Sequence, residues 1–351
     1  MAATDTLQQA RTALTVVSPD PFNAEAPPEA LSADITPTDL HYVRCNFAIP
    51  AHDGVLTIGG QVSNPMNLTL DDLRAMPAVE RTVTLECAGN GRLAQTPLPA
   101  GEPWGKNAVS TARWTGARLY ELLAHAHADP AARNVVFEGA DHGPYGHHKD
   151  IGFGRALTRA HAADPAAEIL LAYEMNDAPL RPEHGAPFRL IVPHWYGMAS
   201  VKWLKRIEVS AEAYEGEFQA GHYMYEWQDQ RREPVTSIRV RARITDPAPR
   251  SRMPAGHYTV RGKAWTGTGP VTSVEVSLTG GNDWQRANLE PPASPYAWQD
   301  WSFDWHAGRI GRHTLRARAT DAAGNVQPDV PPWNRLGYGN NAVEVIYVDI
   351  S

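Results

Sequence analysis

The segment TLECAGNGR (Thr84–Arg92) sets a thiol, two glycines and an arginine side by side. A cysteine in that setting has three readings. Cys87 is a buried apolar side chain, because free cysteine behaves as a small hydrophobe. Or it is a nucleophile, which needs a histidine or a helix N-terminus to lower its pKa. Or it is a soft-metal ligand, which needs an open, anion-friendly cavity. The residues by themselves leave all three open. The other cysteine, Cys45, follows Arg44, and neither lies in a C-x-x-C or C-x-x-C-H setting. Zinc-finger, iron–sulfur and attached-haem chemistry therefore fall away, while a disulfide depends on a Cα separation that sequence does not supply. His142, His147 and His148 cluster around a glycine-rich stretch, Gly143–Gly154. No cysteine or acidic spacing completes a zinc pattern there, so solvated histidines are expected.

These groups need elements to position them. VERTVTLEC (Val79–Cys87) is rich in β-branched residues and predicts a strand. AGNGR after it predicts a loop, because glycines at 89 and 91 permit unusual dihedrals. Thr69–Asp72 has capping-box form ahead of Leu73 and Met76, and Pro77 ends the short helix. Leu119, Leu122, Leu123 and Ala126 repeat at helical spacing, and Phe188–Pro193 reads as a buried strand. The 351 residues exceed the usual single-domain size. An extended arm is expected over 1–40, a mixed α and β domain over 41–228, and an all-β domain over 229–351. In the last, Val274, Val276 and Leu278, then Leu315, Ala317 and Ala319, alternate with polar residues between turns. That pattern predicts an immunoglobulin-like sandwich without the cysteine pair of antibody domains.

Composition narrows the function classes. Hydrophobic residues make up 42% of the chain and charged residues 20%, ordinary for a globular protein. The 11 Trp imply well-packed domains, since each indole needs packing space and a partner for its N–H. The net charge of −7 comes without any long block of Lys and Arg, which argues against nucleic acid and against a polybasic membrane patch. No apolar run approaches the roughly 20 residues that span a bilayer. The N-terminal segment carries neither a long apolar core nor a twin-arginine pair. A cytoplasmic location is expected, or a periplasmic one if an export signal was removed. A small anionic substrate would be repelled by the global field, so local arginines would have to make a positive funnel.

TLECAGNGR followed by STARWTGARL (Ser110–Leu119) resembles the molybdenum-ligand segment of the sulfite oxidase family, which includes the molybdenum part of eukaryotic nitrate reductases. The likeness continues in order through FEGAD (Phe137–Asp141), LLAYEMN (Leu170–Asn176), EHGAPFRLIVP (Glu183–Pro193) and SVKWLKRI (Ser200–Ile207). It then takes in VEVSLTGGNDW (Val274–Trp284), DAAGNVQP (Asp321–Pro328) and the WN of PPWN. The resemblance implies an α+β molybdenum-cofactor domain followed by an all-β dimerisation domain. It implies molybdenum with a single molybdopterin, Cys87 as the protein's sulfur ligand, and no haem domain. It also implies oxo transfer that turns sulfite into sulfate, a homodimer, and an external electron acceptor such as a cytochrome c.

Carried over position by position, the resemblance implies cofactor contacts along YVRCN: Tyr42, Val43, Arg44, Cys45 and Asn46. Arg44 also faces substrate, and Asn46 stands where the family often has histidine. Arg92 matches a second active-site arginine and Trp104 a pocket tryptophan. Tyr223, by its spacing from VKWL, matches the active-site tyrosine, whose phenol can donate a hydrogen bond; Tyr173 is expected to be structural. Asp141, His184, Arg189, Ser200, Val201 and Lys202 match cofactor-binding positions, with His184 and Arg189 on the pterin phosphate. Two features depart from the family. Its WN-x-R-G segment reads WNRLG here, so Leu336 takes the arginine's place; either Arg335 turns inward as the catalytic cation or the substrate differs. The stretch Gly143–Gly154 is longer than the family's usual loop. Sulfite oxidation leads. The alternatives are the same cofactor chemistry on another sulfur compound or oxyanion, sulfane-dehydrogenase-like or nitrate-reductase-like, and, outside enzymes, a β-sandwich binding module.

Overall fold

Short apolar alternations run through the chain, and β-strands dominate its structure, a computed structural model that describes residues 12–351. The expected arm before Thr12 lies outside the described residues. In the first half, Thr69 caps helix Leu70–Ala75. Its hydroxyl accepts from the Asp72 amide while the Asp72 carboxylate accepts from the Thr69 amide, which satisfies two orphan helix donors at once. The β-branched run lies in strand Ala78–Glu86, paired antiparallel with Val109–Arg118. That sheet continues through Leu170–Met175 and Ala178–Pro179, with Arg189–Ile191 on the far side of Leu170–Met175. A second sheet runs in the order Met66–Leu68, Leu56–Gly60, Leu204–Ser210, Asn134–Tyr145 and His148–Thr158. Leu56, Ile58, Phe137 and Ile207 from the second sheet share one core with Ala117, Leu171 and Leu190 from the first. Helix Leu119–His125 adds Leu119, Leu122 and Leu123 to it, the apolar face its spacing predicted.

Gly143–Gly154 is not a loop. Strands Asn134–Tyr145 and His148–Thr158 run on through it as a hairpin, closed by the pair Tyr145↔His148 around Gly146 at φ +57°. Glycines and polar residues interrupt this extension, and only Ile151 and Phe153 alternate in it, too short a run from which to read a strand.

Beyond a short hairpin, Met224–Glu226 with Arg232–Pro234, two further sheets pack face to face. One holds Arg241–Asp246, Gly256–Trp265, Gln299–Ala307 and Asn288–Leu289; the other holds Arg252–Met253, Val345–Ile350, Gly311–Asp321, Val271–Ser277 and Gln285–Arg286. Val260, Ala264, Trp301 and Trp305 of the first meet Val274, Val276, Leu315, Ala317, Ala319 and Val348 of the second. The Asp321 carboxylate accepts from the amides of Ala323 and Asn325, which makes the turn that Asp–Asn spacing favours.

Buried charge joins the two halves. Arg241 lies 3.1 Å from Glu86 and 2.9 Å from Glu344, and Arg243 lies 3.2 Å from Glu344. Residues 12–40 cross both halves as a strap. The hairpin Thr15–Pro19/Phe22–Glu25 is bridged to Val43 through Ala24. Farther along, Asp34 meets Lys263 at 2.8 Å and Thr36 bonds Thr111 at 2.7 Å.

Although burial opposes it, Arg243, Arg241 and Lys106 pull the Glu344 carboxyl down to about 2. A carboxyl whose folded pKa is depressed stabilises fully above its ordinary value near ~4.3 and loses that contribution as pH falls through the folded value. Glu344→Gln should therefore lower stability at neutral pH by about 3 kcal/mol, because it strands buried arginines. It should also flatten the acid loss of stability between about pH 4.5 and about pH 2. Calorimetric Tm across that window measures both effects.

Candidate active site

Strand Ala78–Glu86 delivers Cys87 to the end of its sheet. There the Cys87 amide donates to the Ala108 carbonyl at 2.8 Å and its carbonyl accepts from the Asn90 amide at 2.9 Å. The two glycines of the turn do different things. Gly91 takes φ +85°, left-handed backbone that a Cβ resists. Gly89 leaves room for Arg92, since a Cβ there would lie 2.6 Å from Nη2. Arg92 thus folds back across its own loop, donating from Nε to the Leu336 carbonyl at 3.0 Å and from Nη1 to the Glu102 carbonyl. Arg44 donates to Asn46 Oδ1 at 2.6 Å, to Asn23 Oδ1 at 3.3 Å and to the Cys45 carbonyl. Among the described residues neither arginine pairs with a carboxylate, so two unmatched guanidinium groups accompany one thiol. Burial pushes the Cys87 thiol up, against the pull of Arg44, the Gly89 amide and Arg92. A free nucleophile needs the opposite shift, whereas a metal displaces the thiol proton outright.

Arg44, Cys87 and Tyr223 line two adjoining cavities. The outer chamber, about 330 Å³, adds Arg92, Glu102, Trp104, Tyr145, His222, Arg335, Leu336 and Tyr338. Tyr223 has φ +54°, and the Val235 amide holds its carbonyl at 2.8 Å. Its ring belongs to a stack of four side chains: Arg92 lies 5.5 Å over Tyr338, Tyr338 lies 5.3 Å from Tyr223, and Arg155 lies 5.5 Å over Tyr223. Cation–π contacts fix the phenol and Arg92 without spending either charge on a carboxylate. Arg335 is placed differently from a free inward cation. It donates to both Glu226 oxygens and its side chain is 55% exposed. Leu336 is buried, and its carbonyl serves Arg92.

The inner cavity is walled by His41 to Arg44, Asn46, Asp141, Glu183, His184, Arg189, Ser200 and Lys202. Arg189 donates to the carbonyls of His184 and Ser200, both at 3.0 Å, and burial lowers its pKa to about 10. Lys202 donates to the Glu183 carbonyl at 2.8 Å and to Cys45 Sγ at 3.3 Å, and burial lowers it too. Burial brings His41 down to about 3 and His184 well below the usual imidazole range. It raises Asp141 to about 6 and lifts Glu183. Asp141 Oδ1, both Glu183 carboxylate oxygens and His41 Nε2 are buried without a hydrogen-bond partner. Two residues of the expected set stand back from the wall: Cys45 supports Lys202, and Val201 packs into the hydrophobic core. Tyr173 is also core, with Arg74 5.8 Å from its ring.

Residues 46–218 match the family model of the oxidoreductase molybdopterin binding domain, and residues 232–350 that of the Mo-co oxidoreductase dimerisation domain. Sulfite oxidase of Gallus gallus is 37% identical over 351 residues, covering 92% of this chain and 75% of that one. The chain belongs to the sulfite oxidase family. Mitochondrial sulfite oxidase of Homo sapiens is 38% identical over 365 residues, covering 97% of this chain. This chain spans 66% of that relative's length. The crystal structure of the sulfane dehydrogenase SoxCD from Paracoccus pantotrophus superposes with a TM-score of 0.84 at 29% identity, over 95% of this chain and 85% of that one.

The inner cavity fits the cofactor of the sulfite oxidase family. The hydrogen bonds of Arg189 and Lys202 go to carbonyls and a thiol rather than to carboxylates, which leaves their charge for a phosphate. The unpartnered oxygens of Asp141 and Glu183 suit the N–H groups of a pterin, since a buried unmet acceptor costs about 1–3 kcal/mol until a donor arrives. Among the described residues no group of three or more His, Cys, Asp or Glu is placed to hold a metal ion. Cys87 can therefore give one bond to a metal whose other ligands come with the cofactor. His142 and His148 face carboxylates instead, Asp150 at 2.8 Å and Glu217 at 3.5 Å. Sequence reasoning passed over His41, Glu183, Tyr145, Arg155, His222 and Tyr338. Glu183 sits inside the EHGAP motif and Tyr338 just after WNRLG, so adjacency was the available signal; Tyr145 had none.

Gly89→Ala tests the folded-back arginine. Its Cβ would displace only the far end of a flexible side chain, so the fold should survive. Moving one charge-assisted contact should weaken anion binding about tenfold. Sulfate titration of both forms, with Tm as control, is the measurement.

Proposed function

We propose that this chain oxidises sulfite to sulfate with a molybdenum cofactor carrying one molybdopterin, and passes the electrons singly to an external acceptor such as a cytochrome c. The observation that carries this reading is the pair Arg44 and Arg92, both lining one chamber with Cys87 and, among the described residues, neither matched by a carboxylate. Charge-assisted contacts are worth roughly 1.5–3 kcal/mol each, enough to collect a small anion against a net charge of −7. When bound, the cofactor supplies oxygen-atom transfer and takes up the electron pair; sulfite and water give sulfate, two protons and two electrons.

The chain's own residues prepare that chemistry. Cys87 would hold the metal, Arg189, Lys202 and His184 the phosphate, and Asp141 with Glu183 the pterin N–H groups. Tyr223, fixed by Tyr338 and Arg155, donates to a substrate oxygen. Trp104, 1% exposed, helps to exclude water, which strengthens every electrostatic contact in the chamber. The match of residues 232–350 to a dimerisation domain supports a homodimer. One observation favours a second reading, a sulfane-type sulfur substrate: Leu336 brings no charge to the chamber, and the likeness to SoxCD spans 95% of the chain.

Elemental analysis should find molybdenum. Cys87→Ser should keep the fold and lose most sulfite-dependent reduction of ferricyanide, because a hydroxyl is a harder, poorer donor than thiolate. A molybdenum-loaded Cys87→Ser with undiminished turnover would refute the ligand. Arg92→Gln should lower kcat/KM for sulfite about tenfold to a hundredfold. Arg335→Ala should lower it less than about threefold, since an exposed pair contributes little. Fast turnover of a sulfane compound with poor use of sulfite would select the second reading.

A further inference from the structure

Leu336 leaves the outer chamber without a third fixed cation, and Glu226 matches the charge of Arg335. The chamber also receives residues from the hairpin Asn134–Tyr145/His148–Thr158 and from the segment that follows the turn Glu217–Gly221. From these elements Tyr145 and His222 line the same chamber as Arg44, Arg92 and Cys87. We propose that Tyr145 and His222 complete the anion site, the phenol as a fixed hydrogen-bond donor and the imidazole, when protonated, as the third cation. This rests on the anion-oxidising reading above and deepens it.

Packing holds both groups. The Tyr145 ring lies 4.8 Å from Phe218, 6.2 Å from Phe47 and 4.9 Å from the His222 ring. Gly143 lets the hairpin settle on Phe47, because a Cβ there would come within 2.9 Å of that ring. Burial, with Tyr223 and Glu217 adding to it and Arg44 and Arg92 opposing, pushes the Tyr145 phenol up to about 12. The hydroxyl therefore keeps its proton and lies in the field of both substrate arginines. His222 Nδ1 lies 3.0 Å from Glu217 Oε1, which orients the ring and leaves Nε2 as its other polar atom.

Glu217 also meets His148 Nε2 at 3.5 Å, and the His147 ring lies 4.1 Å from that of His148, tilted by 33°. One carboxylate thus faces two imidazoles, and its charge is outweighed only when both are protonated. Arg44, Arg92 and Glu102 line the chamber, and Arg335 and Arg232 both pair with Glu226. Anion affinity should accordingly rise between about pH 8 and about pH 5.5, the interval in which imidazoles as a class gain charge.

Sulfate is the probe, because it keeps both charges across that range, so any pH dependence belongs to the protein. Calorimetric titration of the holoenzyme between about pH 8 and about pH 5.5 should show Kd tightening about tenfold. His222→Gln should bind several-fold more weakly than the unmodified enzyme at the acid end, keeping only the part of the slope that His148 supplies. Glu217→Gln should move the midpoint down by removing the carboxylate partner, and it carries the test if His222→Gln does not fold. Tyr145→Phe should weaken binding about threefold to tenfold at every pH and leave the slope unchanged. The inference is overturned if His222→Gln binds as tightly as the unmodified enzyme at the acid end, if Tyr145→Phe binds as the unmodified enzyme does, or if sulfate does not bind. Sulfate binding with this pattern in an enzyme that does not oxidise sulfite would keep the anion site and refute the substrate.

Discussion

Glu86 immediately precedes Cys87 and is 2% exposed, so protein alone must meet its charge. Asn90 donates to one carboxylate oxygen at 2.8 Å, Arg241 approaches the same oxygen at 3.1 Å, and Trp265 Nε1 donates to the other at 2.8 Å. Arg241 and Trp265 come from the second half of the chain, and Asn90 from the loop that carries the thiol. A buried carboxylate deprived of its partners costs several kcal/mol. The thiol loop and the second half are therefore fixed together or not at all. Asn340 reinforces this, donating to the Gly91 carbonyl at 2.7 Å. The sandwich at the far end of the chain is thus a structural part of the reaction centre.

The same economy governs the cations. Arg92, Arg155 and Arg189 are all buried, and their hydrogen bonds go to backbone carbonyls and their faces to aromatic rings. Carbonyls and rings stabilise a guanidinium without cancelling its charge. In an acidic protein this difference creates an interior that attracts anions. Where the chain wants stability instead of binding it uses carboxylates, as between Arg241, Arg243 and Glu344.

What could be read from sequence was what local chemistry encodes. Thr69 and Asp72 announce a cap because their side chains act on their own backbone. The strand before Cys87 shows in its β-branched residues, and the sandwich strands in their alternation. Arg44, Arg92, Trp104 and Tyr223 were legible through their motifs, and the structure brings them around Cys87 in one chamber. Contacts across long sequence separations were not legible. Trp265 serves a carboxylate 179 residues away, and nothing near either residue marks the pairing. The stretch 143–154 read as a loop because its apolar residues are few and its tip leans on Phe47 and Phe218, distant in sequence. Arg335 looked like a candidate cation until Glu226, distant in sequence, proved to hold it.

The strap across residues 12–40 bears on how such a molecule is assembled. Its Asn23 carboxamide oxygen accepts from the Cys45 amide at 2.8 Å and from Arg44, so the strap holds down the segment that forms one wall of the inner cavity. Phe22 and Ala24 pack with Val43, Cys45 and Trp203 in one apolar cluster, Ala30 and Leu31 enter the main core, and Asp34 pairs with Lys263. One wall of the inner cavity thus takes its final shape only when a segment distant from the thiol loop is packed against both halves of the chain.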